Sequence, residues 1–400
     1  MNASPQRPPR RRFGRTGLAM PVFTCGGMRY QHAWNDVDPE KIPDENQRNL
    51  EATVRRAVEL GINHIETARG YGTSEYQLGR FLRDIPRDSL IVQTKVSPDC
   101  DGRTFRETFE KSLSNLRLDH VDLLSLHGIN TRAILERSLE KGGPLDVARE
   151  IQREGRARFI GFSTHASCDV ITDTIDTGNF DYVNLHWYWV NRSNEPAVNA
   201  AARHDMGVFI ISPNDKGGKL YEPSDKLRRL CQPLSPMIFN NLFCLANPLV
   251  HTLSIGPARP TDFDEHIRSL DFLDDLERHI NPVHERLKSE MAEMLGADWL
   301  ENWETGIPPW EDCPGHVNVW EILRLWNYAT ALDMVAFGRM RYNLLGQADH
   351  WFPGKNAADF SDREMIAALA ANPFREKIPG ILREAHRLLF DKPVERLSKS

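Results

Sequence analysis

Four side chains in the first third of the chain have types suited to proton transfer: Glu66 and Tyr71, five residues apart in HIETARGYGTSE, then Lys95 and His127. A tyrosine titrates near about 10 and donates its proton poorly at neutral pH, but a neighbouring cation favours the phenolate and lowers that value. Beside a lysine it can serve as general acid toward a carbonyl oxygen. Lys95 lies between the apolar LIVQT and VSP, and a buried ammonium needs a counter-charge because its desolvation is costly. Glu66 is the nearest candidate. Taken singly, a loop tyrosine is usually packing, a strand-end lysine is usually solvated and a buried histidine is usually a satisfied hydrogen-bonder. Their joint placement is what points to a site. A metal centre is the rival chemistry, since His127, His165 and His186 with Glu66 could ligate a divalent ion. It leaves Tyr71 and Lys95 unexplained.

The elements that must position these residues are short apolar runs alternating with helical patterns. Strands are predicted at 20–27, 63–68, 90–96, 121–128, 159–164, 182–187, 207–213 and 251–256. Between them, Leu50, Val54, Ala57 and Val58, or Phe105, Phe109, Leu113 and Leu116, recur with helical spacing. Ser74 with Gln77 three residues on reads as a capping box opening another helix. Apolar strands separated by amphipathic helices indicate a parallel sheet buried on both faces. This many units in this length predict the α/β fold class in its (β/α)8 TIM barrel form, and the lack of a G-x-G-x-x-G after the first strand argues against an open dinucleotide-binding sheet. In such a barrel the active site lies at the C-terminal ends of the strands. Glu66 ends the second predicted strand, Tyr71 follows it, Lys95 ends the third and His127 the fourth. We expect a flexible arm at 1–18, the barrel at 19–272, and a smaller, mainly helical domain at 273–400.

Composition narrows the function. A formal net charge of -6 over 400 residues gives no broad basic field for nucleic acid. No run approaches the roughly 18 apolar residues that span a bilayer, and the basic, Pro-rich N-terminus has no apolar signal core. The expectation is a cytoplasmic protein acting on a small molecule, with neither nucleic acid nor membrane as partner. The six cysteines are scattered without a C-x-x-C pair and read as reduced and mostly buried.

RRFGRTGLAMPVFTCGG, GINHIETARGYGTSEYQLGRFLR, LIVQTKV, NLRLDHVDLLSLHGIN, GRARFIGFST and SIGPARPTDFDEH together resemble the aldo-keto reductase family, in family order over residues 11 to 272. The resemblance implies an NADP(H)-dependent oxidoreductase that reduces a small aldehyde or ketone. It casts Tyr71 as general acid, Lys95 as the group that lowers its pKa, His127 as the residue orienting the carbonyl, and residue 66 as the acidic partner of Lys95. Here that partner is Glu where the family has Asp. The extra methylene should move the carboxylate by roughly 1 to 1.5 Å, giving a retained but repositioned ion pair. The resemblance further implies that Ser163 and Asn184 hold the cofactor carboxamide, Asn184 standing where Gln is commoner. Ser212 to Lys216 would wrap the pyrophosphate. Gly256, Arg259, Asp262 and His266 would form the loop and helix start that meet the adenosine 2'-phosphate, with Arg259 displaced by one place from the usual basic position.

NLHWYWVN, MGVFIISPNDKGGKLYEPS and CPGHVNVWEILRLWN resemble a subgroup carrying a C-terminal ferredoxin-like module with two four-iron clusters. A ferredoxin run ending at Cys313 would need cysteines at positions occupied here by Trp303, Gly306 and Pro309, and no cysteine follows Cys313. The expectation is therefore a degenerate module without an iron-sulfur cluster, serving as a structural cover or as a contact for a second copy or another protein. A cofactor-sensing regulatory or scaffold protein with little turnover is the alternative function. The substrate is not readable. Trp34, Trp187 and Trp189 could wall its pocket, and the insertions after the first and fourth predicted strands carry no code.

Overall fold

The computed structural model describes residues 7–395. The chain enters through a short antiparallel hairpin, β1 (Arg10–Arg12) on β2 (Ala19–Pro21). Then follow β3 (Phe23–Gly26), β4 (His64–Glu66), β5 (Ile91–Val96), β6 (Val121–His127), β7 (Ala157–Ser163), β8 (Tyr182–Leu185), β9 (Gly207–Ile210) and β10 (Thr252–Ile255). These eight pair in parallel in chain order, and β10 closes on β3 to make the barrel. Each falls within or overlaps a predicted apolar run. The helices over Asp44–Glu59 and Gly102–Leu116 match the helical spacing, burying Leu50, Val54 and Ala57 in one and Phe105, Phe109, Leu113 and Leu116 in the other.

The hairpin corrects the expectation of a flexible arm at 1–18. Residues 1–6 lie outside the described residues, but from Arg10 the chain is fixed. Arg11 donates to the carbonyls of Leu245 and Asn247 at 2.6 and 3.1 Å, Arg10 to Ala19 at 2.7 Å, and Arg12 pairs with Asp205. Phe13 and Met20 are fully buried with Ile91, Leu123, Tyr182 and Phe209, which seals the N-terminal end of the barrel. Gly207 must lack a side chain here, because a Cβ would come within 2.6 Å of the Phe13 ring. A Pro- and Arg-rich stretch reads as disordered because its anchors are distant carbonyls that local pattern cannot reveal.

Strand alternation sends every second side chain inward. Above the apolar seal lies a polar layer: the Thr24 hydroxyl shares hydrogen bonds with Thr252 and His64 at 2.8 and 2.7 Å, and Ser125 links Gln93 and Tyr182, each at 2.9 Å. One residue pair further along the strands come Glu66, Lys95, His127, Ser163 and Asn184.

The chain divides into two compact units. One holds the barrel, up to Pro213 and again over Asn240–Asp274; the other takes Asn214–Phe239 and the described residues from Asp275. The expected border at 272/273 thus misses the segment after β9. Lys226 pairs with Glu290 at 2.6 Å and Arg286 donates to the Leu230 carbonyl at 3.0 Å, non-local contacts that tie this segment to the helix over Leu276–Leu295. The second unit is mainly helical, and aromatic residues build its interior. Trp299 meets Trp326 and Phe374 at ring separations of 5.9 and 5.0 Å and donates to Asn327 at 2.8 Å. Trp303 and Cys313 are both buried.

Candidate active site

Pairing register places the inward strand ends side by side. Glu66 lies opposite Gly26 on one side and Gln93 on the other; His127 lies opposite Ser163, and Ser163 opposite Asn184. Tyr71 comes instead from the turn after β4. That turn is held by the insertion after β3: Thr73 Oγ1 accepts from the amides of His32 and Ala33 at 3.2 and 3.1 Å, and the Thr73 amide donates to the Ala33 carbonyl at 3.0 Å. Gly72 sits at φ 54°, where a Cβ would lie 2.0 Å from the Ala33 oxygen. Only glycine fits there.

The helix that follows, Ser74–Gly79, starts differently from the predicted capping box. Thr73 is its N-cap residue, and Ser74 Oγ is bonded to Thr67 Oγ1 at 2.8 Å. The serine is spent on fixing the strand-to-helix junction rather than on capping.

Lys95, Glu66, His127 and Tyr71 are buried, at 1, 3, 4 and 7 % exposure. Lys95 Nζ is paired with Glu66 Oε1 and donates to the Tyr71 hydroxyl and to the Thr67 carbonyl, both at 3.1 Å. The hydroxyl in turn donates to Glu66 Oε1 at 3.4 Å, and the Gly27 amide donates to Glu66 Oε2 at 3.4 Å. The His127 ring meets the Tyr71 ring edge-on at 5.7 Å, and Trp34 approaches the same ring at 6.4 Å. Burial drives the Lys95 ammonium well below its ordinary value, while the Glu66 carboxylate on Nζ favours the charged form. A phenol hydrogen-bonded to a buried lysine, beside an imidazole, can deliver a proton to an oxygen entering between Tyr71 and His127.

Ser163 and Asn184 are also buried, and Ser163 Oγ with both amide atoms of Asn184 meets no hydrogen-bond partner among the described residues. Adjacent buried donors and acceptors left unpaired are costly unless a ligand pairs with them. A carboxamide, with one acceptor and two donors, fits that set. The other residues expected to hold cofactor lie in the segment after β9 and in the loop and helix start after β10. Ser212 has left-handed backbone at φ 51°, and Lys216 belongs to the second compact unit. The Gly256 carbonyl accepts from Arg29 at 3.4 Å. Arg259 is exposed and donates to Asp262 at 3.2 Å, while Asp262 also accepts from the Ala258 amide at 2.7 Å. His266 is buried, packs on Phe23 at 5.7 Å and is bonded to Asn241 at 3.0 Å, and burial lowers its pKa to about 4.

For the metal reading, Glu66 is committed to Lys95, and among the described residues no group of three His, Cys, Asp or Glu side chains gathers around one point. The His165 and His186 rings meet at 4.5 Å, with Tyr188 bonded to His186 at 3.0 Å.

Sequence reading missed the support behind Tyr71. Glu75 is fully buried, accepts from Thr94 at 2.6 Å and Asn115 at 3.3 Å, and lies 3.9 Å from Arg69. Arg69 also pairs with Asp36 of the insertion. Burial raises the Glu75 pKa, opposed by Thr94 and Arg69. Arg and Glu six residues apart around the Tyr71 turn were the available signal.

Comparison with known proteins agrees with the barrel fold. The profile of the Aldo/keto reductase family matches residues 23–234. The chain is 35% identical over 196 residues to L-galactose dehydrogenase of Arabidopsis thaliana, covering 46% of this chain and 58% of that protein. It is 26% identical over 209 residues to an NADH-specific methylglyoxal reductase of Escherichia coli, covering 46% and 60%. The chain thus spans less than two thirds of the length of these relatives. Among solved structures, an aldo-keto reductase from Klebsiella pneumoniae in complex with NADPH superposes with a TM-score of 0.54 at 19% identity, over 68% of this chain and 95% of that one. The holo form of an aldo-keto reductase from Bacillus halodurans gives 0.56 at 19%, over 70% and 96%. At such identities these structures speak for the fold alone.

Proposed function

The chain belongs to the aldo/keto reductase family, and on that premise we propose that it is an NADP(H)-dependent oxidoreductase reducing the carbonyl of a small aldehyde or ketone. The observation that carries this reading is the contact of Lys95 Nζ with the Tyr71 hydroxyl at 3.1 Å, beside His127. Tyr71 donates its proton to the carbonyl oxygen as negative charge develops there, Lys95 stabilises the phenolate left behind, and His127 orients the oxygen. Ser163 and Asn184 would hold the nicotinamide carboxamide, and the nicotinamide, when bound, supplies the hydride. Burial of Tyr71 and Lys95 keeps bulk water from competing for the proton.

For the choice of nicotinamide we favour NADP(H), with Arg259 as the cation for the 2'-phosphate. One relative is named NADH-specific and one neighbour was solved with NADPH, so the assignment rests on Arg259. We read the second unit as a degenerate ferredoxin-like module that works through packing or protein contact rather than iron-sulfur chemistry, because Trp303, Gly306 and Pro309 stand where cluster cysteines would be needed. The test is direct: purified full-length protein is offered NADPH and NADH with a panel of small aldehydes and ketones. NADPH oxidation that depends on an added carbonyl is expected. Tight cofactor binding without turnover on any carbonyl would favour the regulatory alternative instead.

A further inference from the structure

The Tyr71 hydroxyl stands between two opposite charges. It accepts from Lys95 Nζ at 3.1 Å and donates to Glu66 Oε1 at 3.4 Å. Both charges touch the hydroxyl, so their influences on a phenolate are opposed. An aspartate at this position would hold its carboxylate roughly 1 to 1.5 Å further back and could not reach a hydroxyl already 3.4 Å from the longer side chain. Two glycines flank the carboxylate: a Cβ on Gly26, at the end of β3, would lie 3.3 Å from Glu66 Oε2, and the amide of Gly27 just beyond donates to that same oxygen.

We propose that Glu66 acts on Tyr71 directly as a positioning residue, its carboxylate holding the phenol protonated against Lys95 and so keeping the proton donor loaded at neutral pH. The proposal rests on the reductase reading above. The other titratable groups that face Tyr71 are His127 on β6 and Tyr30 in the insertion after β3; on its own turn, Arg69 is taken up by Asp36 and Glu75. Glu66 is the anion among these that touches the hydroxyl.

The test reads Tyr71 itself. Tyrosinate absorbance of the full-length protein without cofactor is titrated for the wild type and for Glu66→Asp, each minus its Tyr71→Phe counterpart, with circular dichroism confirming the fold across the range. The Glu66→Asp difference curve is expected to shift down by about one pH unit, a tenfold change in the phenol to phenolate ratio. The alkaline limb of the carbonyl-reduction rate against pH should move down by a similar amount. An unchanged or higher midpoint would overturn the proposal and leave Glu66 acting only through Lys95. Because the titration needs no turnover, failure of the wild type to reduce any carbonyl would count against the reductase reading and leave this result to be judged separately.

Discussion

Lys95 Nζ touches both the Tyr71 hydroxyl, at 3.1 Å, and the Glu66 carboxylate, so that one buried ammonium ties the proton donor to its counter-charge. Removing that ammonium strands an anion in the barrel. Lys95→Met should lose about 3–5 kcal/mol of stability, because the uncompensated charge remains buried. The double variant Lys95→Met/Glu66→Gln should recover most of the loss while staying inactive. Urea denaturation of the four proteins of this cycle checks both statements.

Ser163 offers effects of opposite sign. Its hydroxyl is buried with no partner among the described residues, so Ser163→Ala should leave the cofactor-free protein as stable or more stable by about 1 kcal/mol. The same change should weaken NADPH binding about tenfold, through the loss of one hydrogen bond to the carboxamide. Thermal denaturation and a fluorescence titration with NADPH read the two effects independently.

Stability should depend on pH through buried imidazoles. Burial lowers the pKa of His64 to about 3 and of His251 and His266 to about 4, against about 6.5 when unfolded. Between those values the unfolded chain binds more protons than the folded one, so stability is full above about pH 6.5 and falls with pH through the folded values. Each histidine adds a slope of about 1.4 kcal/mol per pH unit within its window. Replacing His64 by Gln should flatten the curve by one such contribution, as read from denaturation midpoints across the range.

Phe13 tests the N-terminal hairpin. Its ring is fully buried at the foot of the barrel, 5.6 Å from the Tyr182 ring. Phe13→Ala should cost about 3–5 kcal/mol, whereas a flexible arm would tolerate it without change. Chemical denaturation of the full chain distinguishes the two.

The positions most legible in the sequence were those that strand geometry dictates. Doubly buried strands make near-continuous apolar runs, so Lys95 and His127 stood out as polar residues closing such runs, and register then brought His127, Ser163 and Asn184 side by side. What pattern could not show were contacts between distant segments. Arg10, Arg11 and Arg12 looked solvated because their partners lie elsewhere in the chain. Ser74 looked like a cap because its partner Thr67 is reached only once β4 is placed. Asp36 and Arg69, like Lys226 and Glu290, pair across long sequence separations, so neither the Asp36 contact to the Tyr71 turn nor the grouping of the segment after β9 could be anticipated. The length of Glu66 was visible, but that its carboxylate would meet Tyr71 as well as Lys95 emerges only once the turn after β4 and β5 are brought together.

The central claim, that Tyr71 donates the proton in carbonyl reduction, is tested most directly by steady-state NADPH oxidation with the best carbonyl substrate for wild type and Tyr71→Phe. The account predicts a fall in kcat of about 10²- to 10⁴-fold, the scale of general acid catalysis, with the NADPH dissociation constant unchanged. A Tyr71→Phe enzyme with wild-type kcat would contradict it.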